Sequence, residues 1–184
     1  MKKLITTTLI IIFLVNTAMS QVFDGIKISG DFNTTLEKFK SKGYVVEDLF
    51  PEGAMLNFNN MEVNLYKTPE TNKVFKAVVY LPERSNWYDL KSEFNKYHIL
   101  FIEKYGKTSD RSKSFYAPYR EGDGKEMEAL KNENCRYWSY WEGINGASYC
   151  VEISKYNQVK IVYENNVNFA LKEKEVSALL NSKF

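Results

Sequence analysis

One histidine, His98, serves the whole chain of 184 residues. That scarcity argues against nucleophile-base constellations and imidazole-rich metal sites, since both need His beside specific partners. His98 lies next to Tyr97 on a helical stripe and reads as a packed or partly exposed residue. Cysteine is almost as rare: Cys135 and Cys150 are the only two, and they do not sit at metal-ligand spacing. No local signature brings either thiol to His98 as a nucleophile pair. There is no phosphate-cradling glycine loop and no Gly-x-Ser-x-Gly elbow. The one oxygen-rich run, Glu121, Asp123, Glu126 and Glu128, lacks the acidic alternation and distal glutamate of a calcium loop and reads as solvated. A carboxylate pair for glycoside hydrolysis is defined by spatial separation, so it stays open, although no pair stands out. The expectation is a protein without cofactor or metal, and not an enzyme.

Long apolar runs are also missing, apart from Leu4 to Val15. That run follows Lys2 and Lys3 and precedes the small-x-small site Ala18-Met19-Ser20, the pattern of a signal peptide over residues 1–20 cleaved after Ser20. It is short of the roughly 20 residues a membrane span needs, and no later stretch competes. No cysteine follows it to carry a lipid. The sequence therefore predicts a periplasmic or secreted domain over 21–184, with no membrane insertion after cleavage. Lys2 and Lys3 are the leader's only charged residues, so 23 of the 25 Lys plus Arg remain against 23 Asp plus Glu. A neutral chain of mixed signs has no electrostatic reason to bind nucleic acid or an anionic membrane.

Aromatic residues are abundant, and the densest run is Cys135 to Glu164, with the turn signal Asn145-Gly146 inside it. Strands are predicted near Arg136–Trp141, Ser148–Ile153 and Gln158–Glu164. An oxidising compartment favours a Cys135–Cys150 disulfide, but strand register decides it. A tight turn at Glu142-Gly143 sets the two cysteines opposite each other. A Gly143–Gly146 loop sets Cys150 against Ser139 and leaves Cys135 about 13 Å away, beyond reach. The alternative is a buried thiol acting as a small hydrophobe.

Earlier in the chain, Val22 to Gly30 suits one edge strand. Phe32, Leu36 and Phe39 recur at helical spacing, Thr34 with Glu37 has the form of a capping box, and Gly43 suits the position after the helix. Ala54–Phe58 and Met61–Leu65 then alternate with period two around Asn59-Asn60. A two-residue turn there pairs Phe58 with Met61, Leu56 with Val63 and Ala54 with Leu65, all on one apolar face. Phe75, Ala77, Val79 and Leu81 continue that face on a third strand. Asn86 caps a long helix whose stripe is Trp87, Leu90, Phe94, Tyr97 and Phe101 and which ends at Tyr105-Gly106. Lys107 to Asn134 reads as a long polar connection with one short helix near Lys125–Lys131. A last helix is expected over Asn168–Leu180.

The order is helix, glycine and three strands, twice. The expected fold is α+β, built of two α-βββ units over about 21–83 and 84–184, with the helices on one face of antiparallel sheet.

The helix ending Glu103-Lys104-Tyr105-Gly106-Lys107, and the run Val159-Lys160-Ile161-Val162-Tyr163-Glu164 followed by Asn168, resemble small exported proteins of unknown function from gut Gram-negative commensals. In element order the chain also resembles the β-lactamase inhibitor proteins and the small outer-membrane-assembly lipoproteins. The inhibitors grip another protein with an aromatic-rich concave sheet. No inhibitory loop matches residue by residue, and the lipid-bearing cysteine of the lipoproteins is missing. What the resemblance implies is the tandem architecture, and protein binding by analogy.

Within Cys135–Glu164, bulky side chains occupy both parities of one strand: Tyr137 and Trp141 on one, Trp138 and Tyr140 on the other. A half-buried strand packs only one parity under helices. These four residues are therefore the candidate anchors for an envelope or extracellular protein or peptide. Stacking of a carbohydrate or small ligand on the same aromatics is the alternative, and a carboxylate-dependent hydrolase using the acidic run is a third reading. If the sheet is covered on both sides, all four are core.

Overall fold

A computed structural model describes residues 22–144 and 146–182. The leader, its cleavage site and Asn145 lie outside the described residues. Ten strands and four helices are described: β1 (Val22–Phe23), β2 (Ile26–Lys27), α1 (Phe32–Ser41), β3 (Val45–Phe50), β4 (Gly53–Phe58), β5 (Met61–Lys67), β6 (Val74–Tyr80), α2 (Trp87–Tyr105), β7 (Asp110–Phe115), α3 (Glu126–Lys131), β8 (Cys135–Ile144), β9 (Ala147–Ile153), β10 (Val159–Asn165) and α4 (Asn166–Asn181). The protein is α+β, but two α-βββ units do not form. Instead one eight-stranded antiparallel sheet runs β3-β4-β5-β6-β10-β9-β8-β7, beside a separate two-stranded β1-β2 ribbon that replaces the single edge strand expected at residues 22–30. The expectation fails at β3 and β7, the two sheet edges. Their residues face mainly solvent, so they are rich in charge and serine and lack the alternation that marks the inner strands.

The central hairpin forms as its sequence dictates. Asn59 and Asn60 take φ of 51° and 62°, the left-handed values that suit a two-residue hairpin turn. Phe58 meets Met61, Leu56 meets Val63 and Ala54 meets Leu65. α1 begins one turn earlier than a Thr34-Glu37 box implies, because the Asp31 carboxylate accepts from the Thr34 amide at 2.9 Å. Thr34 lies inside the helix, and Glu37 pairs instead with Lys40. α2 is capped by Asn86, whose side chain accepts from the Asp89 amide.

Leu36 and Phe39 of α1 and Leu90, Phe94 and Phe101 of α2 share one core with sheet residues such as Leu56, Val79, Val151 and Ile161. This is the helix face of the sheet. α4 departs from the expected one-sided arrangement and lies against the opposite face. Its Phe169 ring packs 6.0 Å from Phe75, which in turn lies 6.3 Å from Tyr66. Phe75 reaches that side because the β5–β6 register slips between Tyr66 and Lys67, rotating it out of the row of Ala77 and Val79. α4 is held largely by polar contacts. Asn168 donates to the Val74 carbonyl at 2.7 Å, and the buried Glu175 carboxylate accepts from the Glu70 and Thr71 amides and the Thr71 hydroxyl. Burial opposes ionisation of Glu175, but these donors outweigh it and hold its pKa below the usual value. No helix among the described residues is long and apolar enough to cross a membrane.

Candidate functional site

Alternation along β8 divides the four aromatic candidates. Tyr137 and Trp141 belong to the helix face and are 2% and 0% exposed. Trp141 lies 5.3 Å from the Phe101 ring and donates from its indole N–H to the Gly106 carbonyl at 2.9 Å. Tyr137 packs edge-on against Trp87 and Phe94. Both are core residues beneath α2. Trp138 and Tyr140 point to the other face and are half-buried there.

That second face carries a row of directly opposed residues reaching from the β7 edge past the middle of the sheet. Ser112 lies opposite Trp138, Trp138 opposite Glu152, Glu152 opposite Lys160, Lys160 opposite Tyr80, and Tyr80 opposite Glu62. Within the row Lys160 and Glu152 form an ion pair at 2.8 Å, both partly shielded from water. Burial works against the Lys160 charge, but the Glu152 hydrogen bond and charge prevail and raise its pKa. The next row sets Tyr140 opposite Cys150 and Cys150 opposite Val162. Sequence patterning named Tyr137, Trp138, Tyr140 and Trp141 alike, and of these only Trp138 and Tyr140 stand on this face. It missed Tyr80, Glu152 and Lys160, which join them only through the pairing of β6 with β10.

Shallow clefts of 320 and 350 Å³ follow the first row, one beside Tyr80, Glu152 and Lys160 and the other beside Trp138, Cys150 and Glu152, and two further clefts lie toward α4. One of 390 Å³ is lined by Tyr66, Val78, Tyr80, Lys160, Val162 and Lys172. A larger, apolar one of 740 Å³ opens where the C-terminal half of α4 passes β3 and β5, between Phe50, Pro51, Phe75, Val176, Leu179 and Leu180.

Cys135 and Cys150 are both free. Cys150 lies opposite Tyr140, five positions from Cys135 and on the other face of the sheet. Neither register considered above occurs. The hairpin closes between Ile144 and Ala147, and a bulge between Trp141 and Ile144, where Gly143 takes φ of 70°, shifts the pairing by one residue. Burial pushes each thiol pKa up to about 12, which suppresses the reactive thiolate. The native protein should therefore leave DTNB uncoloured at mildly alkaline pH and release both thiols once unfolded in denaturant without reductant. A rapid native reaction, or no thiols after unfolding, would contradict this arrangement.

Each carboxylate of the acidic run has a local partner. Glu121 pairs with Lys91 at 2.6 Å, and Asp123 accepts from the Arg120 and Lys125 amides. Glu126 accepts from the Gly122 amide and Glu128 from the Tyr119 hydroxyl. Among the described residues no three His, Cys, Asp or Glu side chains cluster as metal ligands. His98 stacks on Phe94 at 5.9 Å and lies 5.8 Å from Trp141. Burial, with Lys113 and Arg111 nearby, lowers its pKa and favours the neutral ring.

Comparison with protein-family models, with curated proteins and with solved structures finds no match.

Proposed function

We propose that this chain is a non-enzymatic binding module that takes an extended segment of an envelope or extracellular protein across the second face of its sheet. The observation that carries the reading is the row Ser112, Trp138, Glu152, Lys160, Tyr80, in which half-buried aromatics bracket a shielded ion pair. Aromatics of this kind dominate interface energetics, because a large rigid surface is buried at little entropic cost. The opposed charges supply fixed hydrogen-bonding partners between them.

The test uses the full chain with benzoylphenylalanine at position 138. Irradiation with an envelope extract should give discrete protein adducts that vanish in a Tyr80→Ala background. The same label at Tyr88, which is 80% exposed on α2, should not give them. Identical adducts from both positions, or none from 138, would sink the reading.

The 390 Å³ cleft favours a second reading, a carbohydrate or small ligand stacked on the aromatics of this face, here Tyr66 and Tyr80. A glycan array without hits removes the carbohydrate form of it.

A further inference from the structure

The outer edge of β7 is an unfilled strand position with a defined charge. Tyr116 donates from its amide to the Asn134 carbonyl, which sets the phase of the β7–β8 ladder. By alternation the backbone groups of Ser112 and Ser114 face β8, and those of Arg111, Lys113 and Phe115 face outward. Asp110 caps the outward Arg111 amide with its own carboxylate at 2.7 Å. By the same alternation the Lys113 and Phe115 amides, and the carbonyls of all three outward residues, point away from β8, and no hydrogen bond from a loop or a side chain reaches them among the described residues. β7 is the last strand in the sheet order.

The side chains along this edge are sorted by face. Arg111 and Lys113 lie on the helix face, and neither forms an ion pair among the described residues. The Lys113 ammonium sits 5.5 Å from the Phe94 ring centre and 5.1 Å from that of Tyr137. Burial, then Lys91 and Arg111, depress its pKa, and the Glu121 carboxylate, itself paired with Lys91, offsets them only in part. On the other face β7 carries Asp110 opposite Tyr140, and beside Trp138 and Arg136 only the small side chains of Ser112 and Ser114. Large neighbours there would wall off Trp138; the serines leave it approachable from the edge.

The geometry points to β7 as the docking strand for an extended acidic segment of a partner protein, with acidic residues alternating with apolar or aromatic ones. This inference rests on the protein-binding reading above and specifies its partner. The segment adds a ninth strand by main-chain hydrogen bonds to Lys113 and Phe115. Its acidic residues fall on the helix face, beside Arg111 and Lys113. Its apolar residues fall beside Ser112 and Ser114 and extend the row of Trp138. Two β7 edges brought together would set these cations against their own copies, so the edge resists pairing with itself.

The probe is a short fluorescein-labelled peptide in which glutamate alternates with tyrosine and valine, titrated by anisotropy against the intact protein. Controls are a peptide of the same composition with its glutamates grouped, and the alternating peptide N-methylated on every second residue, in each of the two phases. The alternating peptide should bind about tenfold more tightly than the grouped one. One phase of N-methylation should abolish binding, and Lys113→Glu should weaken it about tenfold or more. Equal binding of grouped and alternating peptides, or indifference to both N-methylated forms, would reduce the edge to mere charge attraction and overturn the proposal. A concentration-dependent dimer lost in Lys113→Glu would give the edge to the acidic β3 strand of a second copy, and overturn it likewise. Trp138→Ala separates the two ideas. If binding survives it but not Lys113→Glu, the edge stands and the aromatic face falls.

Discussion

Trp141→Ala should lower the unfolding free energy by about 3–5 kcal/mol, while Trp138→Ala, three residues away on the same strand, should cost only about 1–2 kcal/mol. Denaturant titrations followed by far-ultraviolet circular dichroism measure both. The contrast follows from alternation. Trp141 is fully buried among Phe101, His98 and the α2 helix, and its truncation also orphans the Gly106 carbonyl. Trp138 lies half-buried on the opposite face, where water fills the space it leaves. Trp141→Phe should recover much of the packing loss but not the hydrogen bond, and fall between the two. Equal losses at 138 and 141 would mean that both faces are packed core, and the aromatic binding surface would have no basis.

Gly53→Ala should be the most damaging single-methyl addition in the chain, at about 3 kcal/mol or more, with much of the product insoluble. A Cβ at this position would lie 1.8 Å from the Leu65 carbonyl oxygen and 3.2 Å from the Phe50 ring. The oxygen belongs to the backbone of β5, so relief requires prising β4 from β5 where Gly53 faces Tyr66. Gly122→Ala is the matched control. There the methyl meets nothing within 4 Å, and only the φ of +87° opposes it, a strain of about 1–2 kcal/mol. Comparable melting temperatures for the two variants would show that β4 and β5 are not so closely opposed.

The elements legible in advance are those whose information is local. Asn59 and Asn60 specify a turn, and the turn specifies the pairing of Phe58 with Met61 and of Leu56 with Val63. The stripe from Leu90 to Phe101, with Asn86 before it and Gly106 after it, specifies α2. β3 and β7 were not legible, because an edge strand meets water on one side and needs no apolar alternation. Phe75 and Cys150 were misplaced for a different reason. Each follows a one-residue register slip, and a single slip exchanges the two faces of a strand.

For the stretch from Cys135 to Glu164, sequence alone established that bulky side chains stand on both parities of one strand. Nothing local chooses between them, since Tyr137 and Trp141 are no more apolar than Trp138 and Tyr140. The tertiary structure makes the choice: α2 covers one face of β8, β9 and β10, and α4 reaches the other chiefly near Phe75 and Tyr66. One long helix buries one parity of side chains. The other, joined through the β6–β10 pairing to Tyr80 and Lys160, is left as a surface.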